Sequence, residues 1–551
     1  MKYYSQYKNH DLFELEKSLT GLSKSNRWVK LGDNIPWEKV EKEYNKRLRI
    51  SHNGAGNKSA RMVVGALIVK HVENLSDEKT IQAIQENPYM QYLLGLPAFT
   101  EKPVFVPELL VLVRKRLDHD FFNMLTLMLA ETDGSCPKAE RKDEDENDHG
   151  GTMKIDATCC NAEVRYPTDS NLLEDGSKLI DRLLDKFCNR HQISKPQTHK
   201  VEARKAFITL TKRKCKGRKL IDRTKLIQIR CLQADIQIFM KFLGNQMSNL
   251  LKCFNRHDCK CLQAAFRMFE QQKMMFENGV CSCIDRIISI YQPHLRPIVR
   301  GKAKAKVEFG AKVGASIVNG YTYVDHLSWD AYNESTDLIS QIALYKKRFG
   351  MLPDEIQADK LYLSRTNRGL IRNGFINCYN HPLGRPPKEE NDKSAEDKRR
   401  AIGERNEIEG TFGTSKRIYK ADNIRAKLSE TADTWIGACF FAKNVIKFLR
   451  GLLCLILKKW TVSVLSNENS KNNIYLYYNT AISVIHGHNK LANPTYLQKF
   501  IRLCVWLMII VGAFMFGIVL TENIKLRKEM QVANQSIKAL RTIESIKNIE
   551  P

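Results

Sequence analysis

Acidic residues are scarce in this sequence relative to basic ones. The 551 residues include 88 Lys and Arg against 61 Asp and Glu, which gives a formal net charge of +27. An excess of this size indicates a polyanionic partner, most often nucleic acid. Acidic substrates and anionic membranes are the weaker interpretations.

A secretory signal and a disulfide framework are also missing. The segment Met1-Lys2-Tyr3-Tyr4-Ser5 is polar and has no apolar stretch after it. The fifteen Cys are odd in number, so we expect reduced thiols in a cytoplasmic protein. One group lacks the spacing of zinc knuckles, and zinc is the weaker alternative to buried thiols there: Cys253, His257, Cys259, Cys261, Cys281 and Cys283.

A chain of this length predicts two to four structural units. Residues 1–136 are expected to form a helical DNA-binding or dimerisation domain, with helices at about 60–72, at 76 to Gly95 and from 107. The charged stretch 137–151 is predicted to be a linker. Residues 152–460 are the predicted catalytic domain, with a helical insertion at about 171–292, and 461–551 form a C-terminal extension.

Basic residues are concentrated in two places. Arg114, Lys115 and Arg116 follow the third predicted helix, and Lys212, Arg213 and Lys214 lie in the densest basic patch of the insertion. That patch holds few aromatic residues, so we expect contacts with backbone phosphates rather than base stacking. A solvated face is the alternative in both places.

Three acidic residues are the candidate catalytic groups. Asp156 and Asp359 each lie at the end of a short apolar run, where a sheet presents catalytic side chains. Glu409 lies four residues after Arg405 and therefore shares a helix face with it, and Lys416 follows further along the same helix. A carboxylate that binds a cation beside basic groups that bind phosphate suits phosphodiester chemistry. A solvated helix with ion pairs is the alternative.

The order of elements predicts a mixed α/β fold of the ribonuclease H type. A strand with Asp156 is followed by the insertion, a hairpin at Asn319-Gly320, a helix, a strand with Asp359, a short strand at 375–379 and the helix with Glu409. In that fold the three acids converge, and three close carboxylates need cations such as paired Mg²⁺ ions. Asp325 is the alternative candidate to Asp359 for the second catalytic aspartate. Glu407 is the alternative to Glu409, but its side chain would point roughly 200° away around the helix.

These residues carry a resemblance to bacterial insertion-sequence transposases of the DDE class. Arg405, Glu409 and Lys416 match the Tyr-Arg-Glu-Lys signature of one branch, although Ile402 stands at its Tyr position. Further blocks that resemble the family are 155–158, 165–169, 296–302, 308–312, 328–334, 358–362 and 383–386, with 50–120 similar to its N-terminal helical domain. The resemblance covers roughly 50–460.

The resemblance implies a mechanism for this chain. Asp156 would bridge two Mg²⁺ ions, for which Mn²⁺ can substitute, while Asp359 and Glu409 each complete one site. Water would free a 3′-hydroxyl at the transposon end, and that hydroxyl would attack target DNA. Arg405 and Lys416 would hold phosphates, and a homodimer is expected because two DNA ends must be brought together.

The C-terminal extension lies outside the resemblance. Residues 503–520 are an unbroken apolar run near the lower limit for a transmembrane helix. A membrane anchor, a fused fragment of a neighbouring reading frame and a buried or dimer-forming helix are the three interpretations. An active transposase is the leading functional hypothesis, with an inactive DNA-binding remnant and a membrane-tethered structural protein as the alternatives.

Overall fold

A long strand, β3 (Thr152–Asn161), lies between an antiparallel and a parallel neighbour in the computed structural model. The structure describes residues 19, 21–48, 56–141, 148–244, 253–299, 307–379 and 392–465. Within these ranges no helix is long and apolar enough to cross a membrane. The apolar run 503–520 and the block 383–386 lie outside the described residues.

The antiparallel side of the sheet is a hairpin. β5 (Val307–Val318) pairs with β3 and with β6 (Tyr321–Ser328), and the short β4 (Arg296–Val299) pairs with the first part of β5. Asn319 and Gly320 make the turn with φ of 48° and 80°. Both values lie in the left-handed region that Asn and Gly adopt most readily, so the predicted hairpin is confirmed.

The parallel side of the sheet is short. β7 (Glu355–Gln357) runs parallel to β3 and is preceded by α12 (Leu338–Phe349). The segment 375–379, which we expected to be a strand, makes only an isolated parallel bridge between Glu355 and Asn377. It follows α13 (Arg365–Asn373) after a tight turn at Phe375, whose φ is 51°. The sheet is therefore mixed, as predicted.

Seven helices precede the sheet among the described residues. They are α1 (Arg27–Asn34), α2 (Trp37–Asn45), α3 (Ala60–Val72), α4 (Asp77–Glu86), α5 (Pro88–Leu94), α6 (Glu108–Arg114) and α7 (His119–Thr132). The single helix expected to begin after Ser76 and to stop at Gly95 is in fact two helices. Asn87 caps α5 with its side chain and Pro88 occupies the first helical turn, which ends the preceding helix.

These helices share a hydrophobic core with one face of the sheet. The core joins Trp28, Leu67 and Phe121 of the helices to Ile155 of β3 and to Phe448 of the last helix, α15 (Ser429–Leu465). The opposite face of the sheet packs against α15 and α14 (Asp392–Arg417). Between 137 and 151, β1 (Glu140–Arg141) pairs with β2 (Asp148–His149), so part of the predicted linker is paired backbone.

The region between β3 and β4 is helical. It contains α8 (Asp169–His191), α9 (Lys200–Lys212), α10 (Arg218–Leu243) and α11 (Arg256–Glu277), as the sequence predicts. These helices bury a separate core, which includes Leu183, Phe239 and Met268. The insertion can therefore position side chains rigidly beside the sheet.

Candidate active site

The register of β3 on β7 gives the two candidate aspartates equivalent positions in sequence, with Asp359 just past the end of β7. Lys154 of β3 is paired with Gln357 of β7, and each of these residues is followed two positions later by an aspartate, Asp156 and Asp359. Parallel strands in register keep equivalent residues side by side. Burial and the neighbouring charges, which include that of Asp359, both act on the carboxyl of Asp156.

Asp156 sits in a largely buried position near the middle of β3. Its Oδ1 accepts a hydrogen bond from the backbone N–H of Ala157 at 2.8 Å, and its Oδ2 lies 3.5 Å from a guanidinium nitrogen of Arg405. Burial raises the pKa of Asp156 to about 6, and the negative charges of Glu334 and Asp359 act in the same direction. A carboxyl with these surroundings gains from a nearby cation.

Asp359 comes directly after β7 and begins a short turn of 3₁₀ helix, Lys360–Tyr362. Its side chain accepts a hydrogen bond from the backbone N–H of Lys360 at 2.7 Å. This cap fixes the carboxylate at the carboxyl end of the strand, and the half-buried position leaves it open to a ligand.

Glu409 projects from α14, the helix that crosses the sheet at β3. Its carboxylate lies 3.1 Å from the Arg405 guanidinium, and its side chain is 57% exposed. Arg405 therefore contacts Asp156 and Glu409 together, as the four-residue spacing within the helix allows. The guanidinium of Arg405 thus joins two of the three predicted catalytic acids in this structure.

The alternative glutamate, Glu407, has a different partner. Its carboxylate receives a hydrogen bond from Lys154 at 2.7 Å. Lys154 is two residues before Asp156 and lies on the same face of β3, but it occupies the level of Gln357 rather than that of Asp359. Glu407 is therefore paired with Lys154, whereas Glu409 is paired with Arg405.

The alternative aspartate, Asp325, is enclosed in the fold. Its carboxylate pairs with Arg348 at 2.5 Å and accepts a hydrogen bond from Gln341 at 3.3 Å, with no exposed side-chain surface. Arg348 lies over the ring of Tyr323. These contacts give Asp325 a structural role between β6 and α12.

Glu334 is an acid that the sequence analysis did not select, although its charge raises the pKa of Asp156. It pairs with Lys312 of β5 at 2.9 Å, and Lys312 also donates to the backbone oxygen of Tyr332. Lys312 could have been recognised as a functional candidate, since it is a lone basic residue in a buried strand. The position of Glu334 follows only from the tertiary structure.

Lys416 lies at the carboxyl end of α14, 3.9 Å from Asp422. Asp422 accepts hydrogen bonds from the backbone and side chain of Asn161, the last residue of β3. Lys416 is thus placed beyond the end of the strand that carries Asp156. A phosphate near that end would compete with Asp422 for its ammonium group.

The predicted phosphate-binding residues differ in their surroundings. Arg114 is buried, and its guanidinium makes two hydrogen bonds to Asp77 at 2.9 and 2.6 Å, which engages it inside the helical region. Lys115 is exposed, and Arg116 donates to Asn57. Lys212, Arg213 and Lys214 are exposed at the end of α9.

The structure shows no metal cluster among the residues it describes: no group of three His, Cys, Asp or Glu side chains is arranged to hold an ion. In the Cys253–Cys283 region, the sulfur of Cys261 lies 3.6 Å from a ring nitrogen of His257 within α11. Burial raises the pKa of both Cys259 and Cys261. Buried, protonated thiols are what the sequence favoured there.

Comparisons with known proteins find transposase domains in two parts of the chain. A transposase domain model (DUF772) matches residues 17–116, and a transposase DDE domain model matches residues 356–445, which include Asp359 and Glu409. The chain is 24% identical over 185 residues to the uncharacterized protein ORF8 in the nfe locus of Rhizobium meliloti, covering 34% of this chain and 80% of that protein. No solved structure matches.

Matches to a transposase domain and to a transposase DDE domain in one chain support an insertion-sequence transposase of the DDE class. The resemblance found in the sequence is confirmed to that extent.

Proposed function

We propose that this protein cleaves the ends of an insertion sequence and joins the freed 3′-hydroxyl to target DNA. The observation that supports the proposal is the register of β3 on β7, in which Lys154 pairs with Gln357 two residues before Asp156 and Asp359. Arg405 contacts both Asp156 and Glu409. We also propose a ribonuclease H-like fold for the catalytic part. The sheet order β6-β5-β3-β7, with β7 parallel to β3, supports it.

Asp156, Asp359 and Glu409 are the proposed ligands of two Mg²⁺ ions, with Mn²⁺ as a substitute. Carboxylate oxygens are the donors that Mg²⁺ prefers, and the raised pKa of Asp156 fits a group that a cation would stabilise in its charged form. When bound, a metal pair activates the attacking oxygen and stabilises the leaving oxygen of the phosphodiester.

Arg405 and Lys416 are the proposed phosphate-binding residues. Arg405 pairs with Asp156 and Glu409 in this structure, and its five N–H donors suit a phosphate equally well. If cations were bound to the carboxylates, the guanidinium would be free to turn to a DNA phosphate. Lys416 lies beyond the end of β3, 3.9 Å from Asp422.

The proposed partner is double-stranded DNA, both at the terminal repeats and at the target. A homodimer follows from the need to hold two ends at once, and a location in the cytoplasm at the nucleoid follows from the substrate. The charge of +27 favours association with DNA.

The test uses the full-length chain, Mg²⁺ and an end-labelled duplex carrying the terminal repeat that flanks the gene. We expect metal-dependent nicking by the wild type, and at least a 10³-fold lower rate for Asp156→Asn with binding retained, a loss typical of groups that stabilise the transition state. Replacement of Mg²⁺ by EDTA is the control. Tight binding of the repeat without cleavage by the wild type would favour the inactive DNA-binding remnant instead.

A further inference from the structure

A second site on the molecule is a basic cleft that does not contain the three carboxylates. It encloses about 830 Å³ between the end of α6, one side of α11, the segment before β4 and the start of α15. Its basic residues come from three of these elements: Lys115, Arg116, Arg256, Lys260, Arg267 and Lys427. Of the lining residues that the structure describes, Glu430 is the only acidic one.

The floor of this cleft is a stripe along α11. Arg256, Lys260 and Arg267 are separated by four and seven residues, so they lie on one face over about three turns of helix. At 1.5 Å per residue the stripe is about 16 Å long. Lys427 and Lys115 line the same cleft from other elements.

The basic side chains of the cleft differ from others in the insertion. Lys200 pairs with Asp181, Arg204 with Glu174, and Lys225 with Asp169. Among the described residues, the stripe residues and Lys427 have no ion pair or side-chain hydrogen bond. Several uncompensated cations facing one concave space cost free energy by mutual repulsion, which a bound polyanion would relieve.

Two further features favour phosphate groups as the ligand. The first residues of α11 and of α15 line the cleft, so the positive ends of two helix dipoles contribute to it. Burial lowers the pKa of His294 to about 4, so that imidazole adds no charge at neutral pH. The attraction therefore comes from the Lys and Arg residues and the helix ends.

The backbone connects this cleft to the candidate active site. The N–H of Ile424 donates to the oxygen of Asn161 at the end of β3, and the N–H of Glu163 donates to the oxygen of Ile424. Lys427 follows three residues later and reaches the cleft. A polyanion in the cleft therefore lies just beyond the strand that carries Asp156.

We propose that the cleft along α11 binds the sugar-phosphate backbone of duplex DNA adjoining the cleaved end. This deepens the proposed function and rests on it. Among the described lining residues, Tyr291 is the only one with an aromatic side chain other than histidine. A duplex is favoured over a single strand because single-strand sites use aromatic platforms. Contacts of this kind position the duplex without reading its sequence.

The test is binding of a fluorescein-labelled 30-base-pair duplex of mixed sequence to the full-length chain, measured across a salt series. The variant is Arg256→Gln/Lys260→Gln/Arg267→Gln. The matched control is Lys79→Gln/Lys102→Gln/Lys347→Gln, which removes the same charge from exposed sites outside the cleft. Circular dichroism and thermal unfolding show whether each variant is folded.

We expect the cleft variant to bind at least about tenfold more weakly at about 0.1 M salt, with a slope of log K on log salt lower by about 2 to 3. The control should change both quantities far less. Equal losses in the two variants, or a loss seen for duplex RNA but not duplex DNA, would overturn the proposal. If the cleft variant bound DNA normally and cleaved the terminal repeat normally, the proposal that the cleft binds DNA would be overturned. The proposed function would still stand.

Discussion

The candidate active site and the basic cleft treat charge in opposite ways. At the active site, Arg405 pairs with both Asp156 and Glu409, so these acids have a basic partner in the same chain. In the cleft, Arg256, Lys260 and Arg267 have no acidic partner among the described residues. The paired acids of the active site suit replacement of the arginine by another cation. The unpaired basic residues of the cleft suit a permanent attraction for phosphate.

The largest expected effect separates Glu409 from Glu407. Glu409→Gln should lower cleavage of the terminal-repeat duplex by 10³-fold or more, because a carboxylate proposed to bind metal becomes a neutral amide. Glu407→Gln removes only the partner of Lys154 and should lower the rate by less than about tenfold. Single-turnover cleavage of both variants is the measurement, and equal losses would contradict the assignment.

A large effect on stability is expected when Asp325 is replaced, because this acid has a buried basic partner and no proposed catalytic role. Asp325→Ala leaves the Arg348 guanidinium without its carboxylate in a buried position and should destabilise the fold by about 3 kcal/mol. Urea unfolding checks the loss. The double variant with Arg348→Ala should recover part of it, and no recovery would show that the pair is not what holds β6 to α12.

The pH dependence of stability tests the balance at Asp156. Its pKa is about 6 in the fold against a usual value of 3.8, so the folded state binds more protons between these values. Stability should therefore fall as pH rises from about 4 to 6, by up to about 3 kcal/mol, and then level off. Asp156→Asn should reduce this fall in thermal unfolding without metal, and an unchanged pH profile would contradict the shift.

The smallest effect concerns Arg405. Arg405→Gln removes the positive charge that lowers the pKa of Asp156, so that pKa should rise above its present value. Cleavage at pH 7 should fall roughly tenfold, and the acid limb of the pH–rate profile should move to higher pH. Arg405→Lys keeps the charge and should restore the position of that limb but only part of the rate.

The hairpin and the Arg405–Glu409 contact could be predicted because each depends on residues close together in the sequence. The hairpin follows from Asn319-Gly320, and the Arg405–Glu409 contact follows from helical spacing. The relative position of Asp156 and Asp359 could not be predicted from the sequence, because it depends on the strand register and therefore on tertiary packing. Helices α1 and α2 were missed because the polar residues of the region concealed the buried Trp28 and Trp37.

Charge partners were the least predictable feature. Arg114 stands in a run of three basic residues, but only the packing of α6 on α4 shows that Asp77 holds it in a buried position. The stripe on α11 was not among the sequence predictions, which singled out the Cys and His residues of the same segment. A basic residue's function depends on whether the fold supplies an acid, and spacing alone does not reveal that.

Metal binding measured directly tests the central claim, that Asp156, Asp359 and Glu409 hold cations together. Electron paramagnetic resonance of Mn²⁺ with the full-length chain at pH 7.5 should show two bound ions. Asp156→Asn should weaken binding at least tenfold, and Glu407→Gln should leave it unchanged. Wild-type affinity in Asp156→Asn would contradict the account.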